Sequence, residues 1–152
     1  MNAELAALYE ADQHDRREGL PYREDDRLRL ARVKELLDGG AVQDPADQFR
    51  AAMILHHGEN VYDFEQAHRL ARAAFEGGHE QARKLVALTL DRWLTHQGKP
   101  QKFGTQYLHD AKGWRLMEYD PATTDDERAE WEVPPLAELL ATVEHLNRTR
   151  RR

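Results

Sequence analysis

Glycine and proline divide this chain into segments that each carry apolar residues at the spacing of a helix. The pairs Gly39-Gly40 and Gly77-Gly78 each follow such a segment, and Gly58 and the stretch 98–100 end two others. Glycine directly after the last periodic residue is typical of a helix C-terminus, because glycine adopts the left-handed conformation without strain. The pattern therefore predicts an all-α fold of about six helices.

Capping side chains mark where several of these helices begin. Asn2 precedes the first segment, and Asp44 is followed by Pro45, which pairs a cap residue with proline at the first helical position. A short turn capped by Thr124 or Asp125 precedes the last helix. The predicted helices cover residues 2–17, a stripe from 28 to 37, 44–58, 60–77, 79–95 and 134–146.

The centre of the chain resembles a helical repeat. The stretch Ala67–Ala74 places alanines one turn apart and is followed by Gly77-Gly78, as in tetratricopeptide-type and related Sel-type repeats. Barely two such units can be counted, whereas a solenoid needs about three. We therefore expect a helical-repeat-like centre without a sustained period.

The pattern changes after Pro100, in the C-terminal third of the chain. Phe103–His109 and Trp114–Tyr119 are rich in aromatic residues, and Lys112-Gly113 between them is a turn signal. An isolated hairpin is marginal in water, so its apolar side chains should pack on the helices. We predict one small β-hairpin here.

Length and composition bound the class of protein. The 152 residues suit one domain, which we place at residues 1–146, followed by a basic C-terminal tail at 147–152. The absence of cysteine excludes a disulfide and a thiolate nucleophile. No apolar run is long enough to span a bilayer, and the N-terminus lacks a signal-peptide pattern, so we expect a cytoplasmic protein.

The net charge of −6 makes nucleic acid an unlikely partner, because affinity for phosphate backbones comes largely from basic patches. The exception is the set of arginines at the C-terminus, which are more often a solvated helix end than an anion-binding arm. We therefore predict neither a nucleic-acid nor a membrane partner.

Asp12 and two adjacent histidines are candidates for acid–base chemistry. Asp12 continues the apolar stripe of helix one and is either a catalytic acid or the partner of Arg16 one turn later. His56 shares the inward face of helix three, and His57 lies on its flank. Either imidazole is a candidate general base, although a lone histidine on an apolar face is more often a hydrogen-bonded core residue.

His68 is the third candidate histidine, at the edge of the apolar stripe of helix four. It lies between Phe64 and Arg72, one turn to either side, and should line the same crevice as His56. The chain has no H-E-x-x-H or comparable metal-ligand spacing. We predict no metal and no cofactor.

Two further groups are candidates for ligand binding. Asp91-Arg92 is either an ion-pairing couple between helices or a place where Arg92 binds a ligand carboxylate or phosphate. Gln101, Thr105 and Gln106 surround Gly104 and offer both donors and acceptors. Those polar groups suit recognition of a neutral ligand or peptide, or they satisfy buried helix ends at the entry to a strand.

Several short motifs together resemble an uncharacterised bacterial family, a domain of unknown function. They are D-Q-x-D-R at 12–16, H-G at 57–58, A-H-x-L-A at 67–71, D-R at 91–92 and Q-x-F-G-T-Q at 101–106. The resemblance covers nearly the whole chain and implies an architecture and a shared set of pocket residues, but no reaction.

Three functional hypotheses follow from these residues. The first is recognition of a small polar ligand or a peptide segment in a crevice between helices one, three and four and the hairpin. The second is a hydrolase-like acid–base enzyme that uses Asp12 with His56 or His57. The third is a helical-repeat adaptor for a partner protein.

Overall fold

The computed structural model describes residues 1–150, which form seven helices and one two-stranded antiparallel hairpin. The predicted helical fold with one small hairpin is confirmed. No helix within these residues is long and apolar enough to cross a membrane. In chain order the elements are α1 (Ala3–Arg17), α2 (Glu24–Asp38), α3 (Pro45–His56), α4 (Val61–Glu76), α5 (Ala82–Thr95), β1 (Tyr107–Asp110), β2 (Gly113–Leu116), α6 (Asp125–Glu130) and α7 (Leu136–Arg150).

Side-chain caps fix the starts of α1, α3 and α4. Asn2 accepts a hydrogen bond from the backbone N–H of Leu5, and Asp44 accepts one from Asp47. Asn60 caps α4 in the same way and forms a reciprocal capping box with Asp63. Each cap satisfies a helical N–H group that has no partner within its own helix, which is why the sequence located these starts.

Helices α3, α4 and α5 pack against one another in chain order. Small residues on their facing surfaces allow close approach, and α1 and α2 cover the other side of α3. The stretch Ala67–Ala74, whose sequence resembles a helical repeat, lies within α4. The buried residues at the contacts include Ala52, Ala71, Ala74, Ala82, Leu85 and Val86 on one side and Leu5, Val33, Ile54, Leu55 and Ala67 on the other.

Helix α6 replaces the predicted short turn near Trp131. Thr124 accepts from the backbone N–H of Glu127, and the Glu127 carboxylate accepts from the backbone of Thr124. This capping box makes a six-residue helix out of the segment. It also fixes Arg128, whose side chain is only 2% exposed.

The hairpin is shorter than predicted. Its register pairs Tyr107 with Leu116 and Asp110 with Gly113. Residues 103–106 do not extend β1, because the backbone N–H groups of 103–105 donate to the carboxylate of Asp91 and that of Gln106 donates to Oε1 of Gln101. Backbone donors that are held by a side chain are not free to form a strand ladder.

Residues 147–150 continue the last helix, and the predicted start of the tail therefore lies within a helix. Helix α7 extends through Arg150, and Arg151 and Arg152 lie outside the described residues. Asn147 holds this last stretch against β2. Its Oδ1 accepts from the backbone N–H of Trp114 (2.8 Å), and its Nδ2 donates to the Trp114 carbonyl (2.9 Å).

Replacing Asn147 with alanine should lower the free energy of unfolding by about 1–2 kcal/mol, because two hydrogen bonds to the hairpin are lost together. Urea unfolding followed by circular dichroism measures the change. Thr149→Ala is the matched control, since Thr149 bonds only to carbonyls of its own helix. Equal effects of the two substitutions would show that Asn147 does not anchor the hairpin.

Candidate functional site

The structure brings together Asp12 of α1 and His57, which follows α3. Nδ1 of His57 lies 2.8 Å from Oδ2 of Asp12. The Asp12 side chain is 2% exposed, whereas the His57 side chain keeps 20% of its surface in solvent. A buried carboxylate thus holds one nitrogen of a ring that solvent still reaches.

Local sequence explains why these two groups meet. Asp12 stands two turns after Leu5, which is fully buried, and so Asp12 shares the inward face of α1. His57 occupies the C-cap of α3, immediately before Gly58. A Cβ on Gly58 would lie 2.7 Å from both Asp63 Cβ and the Leu55 carbonyl, which explains glycine after His57 in the H-G motif.

His56 is buried beside this pair, as its helical position predicts. Its ring lies 5.7 Å from that of His57, centroid to centroid, and its Nδ1 is buried without a hydrogen-bond partner in residues 1–150. Burial lowers the pKa of His56 well below its usual range, and Arg92, His57 and His96 lower it further. His56 is therefore a neutral imidazole near pH 7.

Arg92 of α5 connects His56 to the loop 101–106. Its Nη1 donates to the His56 carbonyl (2.6 Å), and its Nε donates to Oε1 of Gln106 (3.3 Å). The guanidinium also lies 5.8 Å from the ring centroid of Phe64, within the range of a cation–π contact. Through these contacts Arg92 and Gln106 reach the site of the histidines.

The loop 101–106 folds around the fully buried carboxylate of Asp91. Oδ1 accepts from the backbone N–H groups of Lys102 and Phe103, at 2.8 and 3.0 Å. Oδ2 accepts from the backbone N–H of Gly104 (3.1 Å) and from the N–H and Oγ1 of Thr105 (3.0 and 2.8 Å). Gly104 has φ +103°, a left-handed conformation that favours glycine.

Most polar groups of this segment form hydrogen bonds within the protein. Gln101 is fully buried, and its amide bonds to the backbone of Gln106 and to the Met117 carbonyl. The Thr105 hydroxyl donates to Asp91 and accepts from the Gln106 amide. These contacts favour the alternative in which the segment satisfies internal groups, and they leave Gln106 as the side chain directed to Arg92.

His68 belongs to a different part of the core. Its Nδ1 lies 3.2 Å from Oγ1 of Thr89, and that hydroxyl bonds to the Leu85 and Val86 carbonyls. Burial, with a smaller effect of Arg72, lowers the pKa of His68 to about 4. His68 bonds to Thr89 and to none of Asp12, His56 and His57.

Of the two alternatives for Asp12 in the D-Q-x-D-R motif, the pair with Arg16 does not form. Arg16 pairs with Asp26 of α2 (2.9 Å), and the Asp12 carboxylate is left for His57. Asp15 bonds to Arg29 at 2.6 Å and to Arg23 at 3.0 Å. The second half of the motif therefore joins α1 to α2, and its first residue bonds to His57.

Arg128 contacts the loop 101–106, although nothing in the sequence indicated this contact. Its Nε donates to the Phe103 carbonyl at 2.7 Å. Asp91 accepts hydrogen bonds from the loop, whereas Arg128 donates one to it. Its Nη1 pairs with Asp125 at 3.0 Å. Only tertiary packing shows that this arginine of a short helix reaches the loop.

Three surface clefts are lined by none of the predicted site residues. A groove of about 380 Å³ runs between α1 and α2. It is lined by four apolar residues and three charged ones: Ala7, Leu8, Ala11, Leu28, Glu4, Asp25 and Arg29. Among residues 1–150, no three His, Asp or Glu side chains are arranged to hold a metal ion.

Residues 45–149 match a family of unknown function (DUF6624), and the chain therefore belongs to that family. The match includes the H-G, A-H-x-L-A, D-R and Q-x-F-G-T-Q motifs, whereas Asp12 and the rest of D-Q-x-D-R precede it. No curated protein and no solved structure matches the chain significantly.

Replacing Asp91 with asparagine should destabilise the protein by about 3–5 kcal/mol, because an amide cannot accept all five donors and leaves buried N–H groups without a partner. Thermal and urea unfolding measure the loss. Asp38→Asn, which removes an exposed carboxylate at the end of α2, is the matched control and should change stability by less than about 0.5 kcal/mol. Equal losses would contradict the role of Asp91.

The lowered pKa of His68 should make stability depend on pH. Above pH 6.5 the imidazole is neutral in both states, so the full stability is present. As the pH falls from 6.5 toward 4, the unfolded state binds a proton that the folded state does not. Stability then falls by up to about 1.4 kcal/mol per pH unit for this one histidine.

Urea unfolding at a series of pH values tests this dependence with His68→Gln. Between pH 6.5 and pH 4, the free energy of unfolding of the variant should fall less steeply with decreasing pH than that of the wild type. The difference in slope should correspond to about one bound proton. Gln66→Ala, an exposed neighbour without a titratable group, should keep the wild-type slope. An unchanged slope in His68→Gln would contradict the assignment.

Proposed function

We propose that the protein is a hydrolase-like enzyme that uses acid–base chemistry, with His57 as the general base and Asp12 as the group that orients it. The observation that carries the proposal is the 2.8 Å contact between His57 Nδ1 and the buried carboxylate of Asp12. Forty-five residues separate the two in sequence, so the contact is not a by-product of one helix.

The pair has the arrangement that general-base catalysis requires. When Nδ1 of His57 donates to Asp12, the lone pair of the ring lies on Nε2. That nitrogen can take a proton from water while the buried carboxylate stabilises the imidazolium that forms. The partly exposed ring of His57 gives water and substrate access to this nitrogen.

Arg92 and Gln106 supply the second half of the proposed site. Hydroxide produced at His57 attacks a substrate carbonyl, and the negative charge that develops on its oxygen needs donors nearby. Arg92 contacts the backbone of His56, one residue before the base, and Gln106 bonds to Arg92. His57 then returns its proton to the leaving group.

Hydrolysis of a panel of p-nitrophenyl esters, phosphate monoesters and acylated amino acids tests the proposal. Asp12→Asn and His57→Gln should each lower the rate about 100-fold to 10,000-fold, which is the usual contribution of a positioned acid–base group. The matched controls are Asp38→Asn and His145→Gln, which change the same residue types at exposed positions.

The two site variants should remain folded by circular dichroism, so that a lost rate reports chemistry. Turnover that survives in both variants would contradict the proposal. Selective ¹⁵N labelling of histidine offers a second readout, because the His57 ring should carry its proton on Nδ1 and lose that preference in Asp12→Asn.

Recognition of a small polar ligand or peptide without chemistry is the second candidate. It is supported by Arg92 and Gln106, which remain directed to the histidines after the other polar groups of the loop are used internally. Under this alternative the wild-type protein binds a ligand but turns over no member of the panel. The rates measured for His57→Gln then equal those of the wild type.

A further inference from the structure

Arg92 is a largely buried cation that has no anionic partner within residues 1–150. Its hydrogen bonds go to two neutral acceptors, the His56 carbonyl and the Gln106 amide oxygen. The other buried or half-buried arginines of the core differ in this respect. Arg29 lies 2.6 Å from Asp15, and Arg128 lies 3.0 Å from Asp125.

The pKa values of the arginines reflect the same contrast. Burial lowers the pKa of Arg92, and no carboxylate opposes that effect. Burial also acts on Arg29, but the hydrogen bonds that Arg29 donates to Asp26 and Asp15 outweigh it and raise the pKa. A guanidinium removed from water without a counterion is costly, and folded proteins normally pair such a charge.

The surroundings of Arg92 add no negative charge that is free to compensate it. Asp12 is engaged by His57, and Asp91, the neighbour of Arg92 in sequence, accepts the five donors of the loop. The pKa of His56 is lowered by burial and by the charges of Arg92, His57 and His96, and none of these groups is an acid. The site therefore carries surplus positive charge in a chain whose net charge is −6.

Part of the guanidinium is available to a ligand. Nε and Nη1 donate to the two protein acceptors, whereas Nη2 makes no hydrogen bond within residues 1–150 and is not one of their buried unpaired atoms, so solvent and a ligand can reach it. The Phe64 ring lies 5.8 Å from the guanidinium carbon and 4.4 Å from the His96 ring, centroid to centroid, so aromatic surfaces limit the directions of approach. A planar guanidinium with a free edge matches the geometry of a carboxylate or phosphate oxygen.

We propose that Arg92 binds an oxyanion, a carboxylate or phosphate group of the ligand, beside the reacting position at His57. The inference rests on the proposed function for the role of His57, but anion binding itself does not depend on it. It specifies the substrate class as a small anionic molecule whose charged group lies next to the bond that reacts. The oxyanion supplies the counterion that the protein lacks.

Titration with sodium phosphate and with sodium acetate, at constant ionic strength against sodium chloride, tests the binding site. Either or both oxyanions should raise the melting temperature of the wild-type protein and shift the Arg92 Nε–H and His57 ring signals in ¹H–¹⁵N spectra. The two salts separate a phosphate-binding site from a carboxylate-binding site. An absence of any effect beyond chloride would overturn the inference.

Gln106→Glu provides a variant with a sharp expectation. The new carboxylate replaces the amide oxygen that lies 3.3 Å from Arg92 Nε, so it supplies an internal counterion. The substitution also removes the Nε2 donor to Thr105, so circular dichroism serves as the check on folding, and the variant should bind the effective oxyanion at least tenfold more weakly. Gln66→Glu makes the same charge change at an exposed position and should keep the wild-type response.

Arg92→Lys keeps the positive charge but loses the planar fork, and it should also weaken binding at least tenfold. Oxyanion binding that persists unchanged in Gln106→Glu and in Arg92→Lys would overturn the inference. His57→Gln separates the two proposals, because it should retain oxyanion binding within about threefold while losing turnover. Binding without any His57-dependent turnover contradicts only the enzyme, and His57-dependent turnover without oxyanion binding contradicts only the anion site.

Discussion

Asp91 presents its carboxylate from α5 into the core, where five donors from residues 102–105 converge on it. Without those hydrogen bonds the segment would contain buried backbone groups that no strand or helix satisfies. The carboxylate in turn needs the donors, because a buried charge must be compensated. This mutual requirement gives one fixed conformation to the irregular segment between the helices and the hairpin.

The placement of the candidate site depends on that loop. Asp91 and Arg92 are consecutive in α5, so the same turn that receives the loop also presents the guanidinium. Thr105, held by Asp91, accepts from the Gln106 amide, and Gln106 bonds to Arg92. Arg92 then contacts the His56 carbonyl, and the next residue is His57, the proposed base, which bonds to Asp12. A continuous series of hydrogen bonds joins the loop to the region of the proposed chemistry.

A carboxylate and a guanidinium lie in that region, and their hydrogen-bond partners differ in kind. The Asp12 carboxylate is matched by an imidazole, which is a partner that can gain or lose a proton. The Arg92 guanidinium is matched only by neutral oxygens in the described residues. Elsewhere α1 and α2 are joined by fully paired charges, such as Arg16 with Asp26. The unmatched cation beside a proton-accepting pair is what distinguishes the site from ordinary ion pairing.

The sequence by itself determined the helices and their inward faces. Caps such as Asn2 and Asp44 act within one turn, and the spacing of Asp12 and His56 along their helices placed both residues inward. Only the tertiary structure decided the partners. Asp12 bonds to His57 and not to Arg16, and Gln101 and Thr105 serve the loop's interior. Helical periodicity fixes the direction of a side chain within its own element, whereas a contact across 45 residues depends on how separate elements pack.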